Sequence, residues 1–182
     1  MLYSLPNALS LSRVVMALPC AWAISNGHWI VAGLLFAAAI ATDLADGWLA
    51  RSTRQVTSLG GLFDHASDAL FVTVQLGAFA WLDVTPWLLV LLVPASFVQY
   101  VLDSDALAGA PLRASRIGRS NGIAYFVLAG FPLYQRALGL PLLPDVVFGW
   151  CGWLLVGTTA VSMADRLWAY LHLPGKRLNS RR

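Results

Sequence analysis

The chain has 182 residues, 58% of them apolar and 12% charged, with a mean hydropathy of +0.68 and eight Trp, a balance that excludes an ordinary soluble domain. The formal net charge is only +3, and the nine acidic residues are all Asp. We expect an all-α, polytopic membrane protein made of one domain over 1–182, with membrane lipids around it and no nucleic acid as partner.

Six spans are predicted, at about 11–26, 29–50, 61–82, 86–103, 121–136 and 146–171. The first opens on Arg13, which interrupts the start of an apolar run, and no basic segment precedes it, so a retained helix is expected rather than a cleaved leader. The second ends in Asp43, Asp46, Gly47, Ala50 and Arg51; the third begins with Gly60, Asp64 and Asp68. The fourth is plainly apolar. The fifth is short, follows Arg113, Arg116 and Arg119, and is interrupted by Gly130 and Pro132. By hydropathy the third and fifth are weak. After the sixth, the stretch from Pro174 to Arg182 is basic and suits a tail against anionic headgroups.

Six spans place both termini, the 51–60 loop and the 104–120 loop on one side, and eleven of the twelve basic residues fall there, Arg136 alone lying opposite. The positive-inside rule then puts the termini in the cytoplasm, as expected of a bacterial inner-membrane protein. Trp29, Trp81 and Trp87 mark the outer boundary, and Trp48 and Trp168 the inner one. Cys20 and Cys151 lie in different spans and read as small apolar filler rather than a disulfide.

Four of the nine Asp crowd into residues 43–68 within otherwise apolar sequence. A carboxylate at bilayer depth costs roughly 2.5–3.5 kcal/mol at a helix centre, so four imply a polar cavity and cations. At about 100° per residue, Asp43 and Asp46 share one helix face, as do Asp64 and Asp68 at i and i+4. Two antiparallel helices would bring them together. Such hard oxygen ligands suit Mg²⁺ or Mn²⁺ rather than zinc, and His65, the nearest imidazole, reads as a supporting group.

Written as D-x2-D-G-x2-A-R-x8-G-x3-D-x3-D, residues 43–68 resemble the signature of the CDP-alcohol phosphatidyltransferase family at all eight specified positions. The segment from Pro6 to Arg13 is also similar to the opening of small bacterial members, especially those that make phosphatidylglycerophosphate and the eukaryotic-type cardiolipin synthases; its bland alternative is an amphipathic turn at the interface. The resemblance implies a two-metal site of Mg²⁺ or Mn²⁺: Asp43, Asp46 and Asp64 on one ion, and Asp43, Asp64 and Asp68 on the other. It implies CDP-diacylglycerol as donor, a small polar alcohol as acceptor and CMP as leaving group. Asp68 would be the catalytic base. Gly47, Ala50, Arg51 and Gly60 would contact the CDP group, although small residues also serve helix packing and Arg51 also serves topology. Arg113, Arg116 and Arg119 would take an acceptor phosphate, or serve only topology and anionic lipid. A homodimer is expected by the same resemblance.

The pattern departs at one point. Members that make phosphatidylglycerophosphate usually read close to Leu-Asp-Pro-Val-Ala-Asp-Lys, whereas this chain has Phe63-Asp64-His65-Ala66-Ser67-Asp68-Ala69. That keeps the acids and weakens glycerol 3-phosphate as acceptor, though it leads. Phosphatidylglycerol, serine, an inositol phosphate, and a CDP-linked headgroup moved to diacylglycerol stay open. A transporter using intramembrane Asp is the reading from a different class, and it leaves the spaced Gly47 and Gly60 unexplained.

Overall fold

Six α-helices and no strand make up the described residues: α1 (Leu5–Ser25), α2 (Trp29–Ser52), α3 (Ser58–Trp81), α4 (Trp87–Asp103), α5 (Arg116–Ala137) and α6 (Asp145–His172). The structure, a computed structural model, describes the backbone of residues 5–52, 58–103 and 116–172, and the side chains of residues 10–45, 60–103 and 117–168. Each expected span meets a helix. The largest differences are at the starts of α1 and α5, which begin about six and five residues earlier than hydropathy suggested. In both, the added turn contains polar residues that lower the hydropathy, Asn7 and Ser10 in α1 and Arg116, Arg119 and Ser120 in α5, and the polar residues just beyond it find partners in the bundle. Arg13 meets carboxylates, and Asn121 meets Thr158 and Thr159.

The three described turns gather at one end of the bundle, and each closes on the same Schellman pattern. After α1, the His28 N–H donates to Ala23 O at 2.8 Å and the Gly27 N–H to Ile24 O at 3.1 Å, with Gly27 at φ +73°. After α5, Leu140 and Gly139 repeat the pair onto Gln135 and Arg136, with Gly139 at φ +67°. After α3, Val84 and Asp83 do so onto Phe79 and Ala80, but the left-handed residue is Asp83, at φ +57°.

These turns are tied down by side chains. Thr85 Oγ1 donates to Leu76 O at 3.0 Å, and the Gln135 amide both donates to Leu143 O and accepts from Leu143 N–H. Arg136, the one basic residue expected at this end, pairs with Asp145 at 2.6 Å and lies over the rings of Trp29 and Phe79. Trp81 and Trp87 stand exposed on either side of the α3–α4 turn.

With such short turns, successive helices run antiparallel. α1 packs against both α2 and α3; α3 also meets α4 and α5, α5 meets α2 and α6, and α4 meets α6. The core is aromatic where α2, α3 and α5 meet: Phe36 lies 5.5 Å from Phe71 and 6.0 Å from Tyr134, and Phe71 stacks on Phe126. Edge and offset contacts of this kind contribute about 0.5–1.5 kcal/mol each beyond area burial. Gly130 makes room for Phe36, whose Cε1 would lie 3.2 Å from an added Cβ.

Many large apolar side chains stand exposed on the outer surface. On α1, Leu11, Val15, Leu18 and Trp22 form an exposed stripe at helical spacing, the reverse of a water-soluble bundle. Among the described residues, α6 over Asp145–Trp168 is long and apolar enough to cross a membrane, and Ser10–Ser25, Trp29–Ala45 and Trp87–Asp103 are shorter apolar helical stretches. Cys20 and Cys151 are both free thiols; Cys20 is buried as expected, whereas Cys151 faces outward from α6.

Candidate functional site

At the end of the bundle away from these turns, three helices deliver charge to one point. The α1 residue Arg13 reaches between α2 and α3, where its Nη1 donates to Asp43 Oδ1 at 2.7 Å and to Asp68 Oδ1. Its Nη2 donates to Asp64 Oδ1 and, at 3.3 Å, to Ser10 Oγ. The fork geometry matters here: a guanidinium presents several fixed donors, so one side chain can hold carboxylates from two helices at once. Arg13 is only 1% exposed, while the side chains of Asp43, Asp64 and Asp68 remain 41%, 28% and 23% exposed. The cation is therefore behind the carboxylates, and the carboxylates face outward from it.

In front of them lies a cleft of about 540 Å³ bounded by α2 to α6. Asp43 and Asp68 line it, and so do Arg119 of α5 and Arg166 of α6. Arg166 holds its guanidinium 4.9 Å over the Tyr100 ring, which fixes the cation beside the opening. Buried polar side chains line the deeper part. Thr158 Oγ1 donates to Asn121 Oδ1 at 3.1 Å, the Asn121 amide donates to Thr159 Oγ1, and the Tyr125 hydroxyl shares a hydrogen bond with Thr159. Carboxylates and guanidiniums thus share one solvent-accessible volume, which suits a ligand carrying phosphate together with a cation.

Of the residues expected from sequence, the structure brings together Asp43, Asp64 and Asp68, and places Arg119 in the same cleft as Asp43 and Asp68. Gly60 lies in the first turn of α3, one turn before Asp64. Asp46, Gly47, Ala50 and Arg51 continue α2 and Arg116 opens α5, but their side chains lie outside the described residues; Arg113 lies outside them altogether. Sequence reasoning missed two residues. Arg13 was counted for topology and for the N-terminal resemblance, although a lone cation within an apolar helix near four Asp implies that it meets them. Arg166 was counted for topology only. Nothing in local spacing marks it, since it reaches the cleft from a helix about a hundred residues away.

The donors fit a hard divalent cation. Asp64, His65 and Asp68 each offer one ligand atom, and these lie within 4.8 Å of one another; the oxygens of Asp43 and Asp68 meet on a single nitrogen. His65, read from sequence as a supporting group, is exposed and close enough to join them. Carboxylate oxygens without any thiolate favour Mg²⁺-like ions over zinc.

Fold and site together define a helical-bundle protein with a cation-compatible, phosphate-compatible acidic centre beside an apolar outer surface. The model described as CDP-alcohol phosphatidyltransferase matches residues 3–161, and the chain belongs to that family of transferases. Three relatives agree. A Streptomyces coelicolor protein named cardiolipin synthase (CMP-forming) is 30% identical, with 86% of this chain and 76% of the relative covered. A Mycobacterium tuberculosis protein, named provisionally as a cardiolipin synthase, is also 30% identical over 92% of this chain and 79% of its own. The CDP-diacylglycerol–glycerol-3-phosphate 3-phosphatidyltransferase of Bacillus subtilis is 26% identical over 82% and 93%.

Proposed function

We propose that this protein moves a phosphatidyl group from CDP-diacylglycerol to an acceptor bearing a glycerol phosphate, and releases CMP. The observation that carries the reading is the convergence of Asp43, Asp64 and Asp68 beside a cleft that also contains Arg119 and Arg166. Glycerol 3-phosphate is the leading acceptor, in keeping with the Bacillus relative's name. Phosphatidylglycerol is the second reading: the Streptomyces relative is named for cardiolipin, and this chain lacks the Pro and Lys of the usual phosphatidylglycerophosphate string.

Asp43, Asp46, Asp64 and Asp68 would hold two Mg²⁺ or Mn²⁺ ions, which neutralise phosphate oxygens and polarise phosphorus when bound. Asp68 lines the cleft and takes the proton from the acceptor hydroxyl. As that oxygen bonds to the phosphorus bearing diacylglycerol, the bond from this phosphorus to the bridging oxygen breaks and CMP departs with that oxygen. Gly47, Ala50 and Gly60 would let the nucleotide approach the helix backbone, and Arg51 would pair with a CDP phosphate. Arg119, with Arg166, takes the acceptor phosphate, and Arg113 and Arg116 would add to that contact. We assign residues 1–182 to one domain that spans a bacterial inner membrane six times, with the acidic end facing the cytoplasm and two copies pairing. The apolar outer surface, the antiparallel helices and the basic residues at one end support that placement.

The test is turnover of radiolabelled CDP-diacylglycerol by the purified protein in detergent with Mg²⁺ or Mn²⁺, given glycerol 3-phosphate, phosphatidylglycerol, serine or inositol phosphate in turn. CMP release that depends on one of the two glycerol phosphates, and falls about 10²–10⁴-fold in Asp68→Asn, is expected. Release with serine or inositol phosphate alone would replace the acceptor, and release with none would point to a CDP-linked headgroup donor.

A further inference from the structure

We propose that Arg13 is a positioning residue for the acidic centre: it holds an oxygen of each of Asp43, Asp64 and Asp68 from behind, so that the three carboxylates stay grouped for a divalent cation beside the cleft that Asp43 and Asp68 line. The inference rests on the metal reading above. Three observations carry it. Each Arg13 ion pair among the described residues uses one oxygen of its carboxylate. Arg13 does not line the cleft, whereas Asp43 and Asp68 do. The guanidinium is almost wholly buried while each carboxylate keeps between about a quarter and two fifths of its side-chain surface open.

Geometry decides between this role and a simpler one. Asp43 is on α2, and Asp64 and Asp68 are on α3, so their mutual repulsion would spread the two helices unless something between them attracts all three. Any cation does that. Only a planar fork also fixes where each oxygen sits, because Nη1 serves Asp43 and Asp68 while Nη2 serves Asp64 and takes a rest on Ser10. A lysine ammonium carries the same charge but cannot reproduce two separate nitrogens in one plane. Groups that orient metal-binding side chains from behind typically alter metal affinity about 10- to 100-fold when removed.

The experiment is a Mn²⁺ titration of the full-length purified protein in detergent, read by the electron paramagnetic resonance signal of free Mn²⁺, for wild type, Arg13→Lys and Arg13→Gln. Circular dichroism and gel filtration report the fold of each. Both variants are expected to bind Mn²⁺ about 10- to 100-fold more weakly, with Arg13→Lys failing to rescue. If either variant folds, the titration decides. Tighter binding in Arg13→Gln would overturn the proposal, because Arg13 would then compete with the metal. Full rescue by Arg13→Lys would overturn it in favour of charge alone, and loss of the fold in both variants would make Arg13 a structural tie. Wild-type protein that binds no Mn²⁺ would bring down the metal reading itself, and this inference with it.

Discussion

The residues proposed to do the chemistry differ in how far sequence reveals them. Asp43, Asp64 and Asp68 are legible because their partners are local: two or three helical turns fix which face each occupies, and fixed faces converge. Arg13 and Arg166 contribute through tertiary approach. Their contacts span tens of residues, and a single sequence records their charge but not their direction. For Arg166 this yields a prediction. Its guanidinium is held over Tyr100 at the cleft, where a charge-assisted bond to the proposed acceptor's phosphate would contribute about 1.5–3 kcal/mol. Arg166→Leu should therefore raise KM for the phosphate-bearing acceptor roughly 10- to 150-fold while leaving KM for CDP-diacylglycerol within about twofold. Steady-state kinetics with each substrate varied separately checks it. An equal rise in both constants would reduce Arg166 to a wall of the cleft.

At the level of elements, apolar runs located all six helices, and what they misjudged was the ends. Hydropathy starts the expected spans at about residues 11 and 121, whereas the helices run on through the polar Asn7 and Ser10 of α1 and the Arg116, Arg119 and Ser120 of α5. Gly130 and Pro132 did not divide α5 either. Gly130 accepts the Phe36 ring, and a proline's lost hydrogen bond can be made good by neighbours within a bundle. Close approach between elements was not legible at all. On α6, Gly152 lies so near the α3–α4 turn that an added Cβ would overlap the Pro86 ring, which has no flexible end to move aside. Gly152→Ala should push α6 from that turn and cost about 1–3 kcal/mol, seen as a lower midpoint in thermal or denaturant unfolding in detergent. Gly157→Ala on the same helix, with nothing within 4 Å of its Cβ position, is the matched control and should unfold as wild type does or slightly later.

For the molecule as a whole, the two ends of the bundle differ in what they carry, and the proposed orientation in a bilayer rests on that difference. One end has three tight turns and an Arg136–Asp145 pair that cancels the only cation expected there. The other carries Arg13, Arg119 and Arg166 with the acidic centre. Lys and Arg bias orientation largely regardless of nearby carboxylates, so the proposed orientation rests on the several arginines at the acidic end set against Arg136 at the other. Single cysteines placed in a Cys20→Ala, Cys151→Ser background test this directly. Asn26→Cys, Asp83→Cys and Leu142→Cys, one in each turn, should react with a membrane-impermeant maleimide added to intact spheroplasts. Ser120→Cys, exposed near the start of α5, should react only after the membrane is opened. Labelling of Ser120→Cys alone in intact cells would invert the orientation and put the donor's nucleotide on the wrong side of the membrane. Labelling of only one or two of the three turn positions would mean that the helices do not all cross, and would end the six-span reading while leaving the acidic centre as it stands.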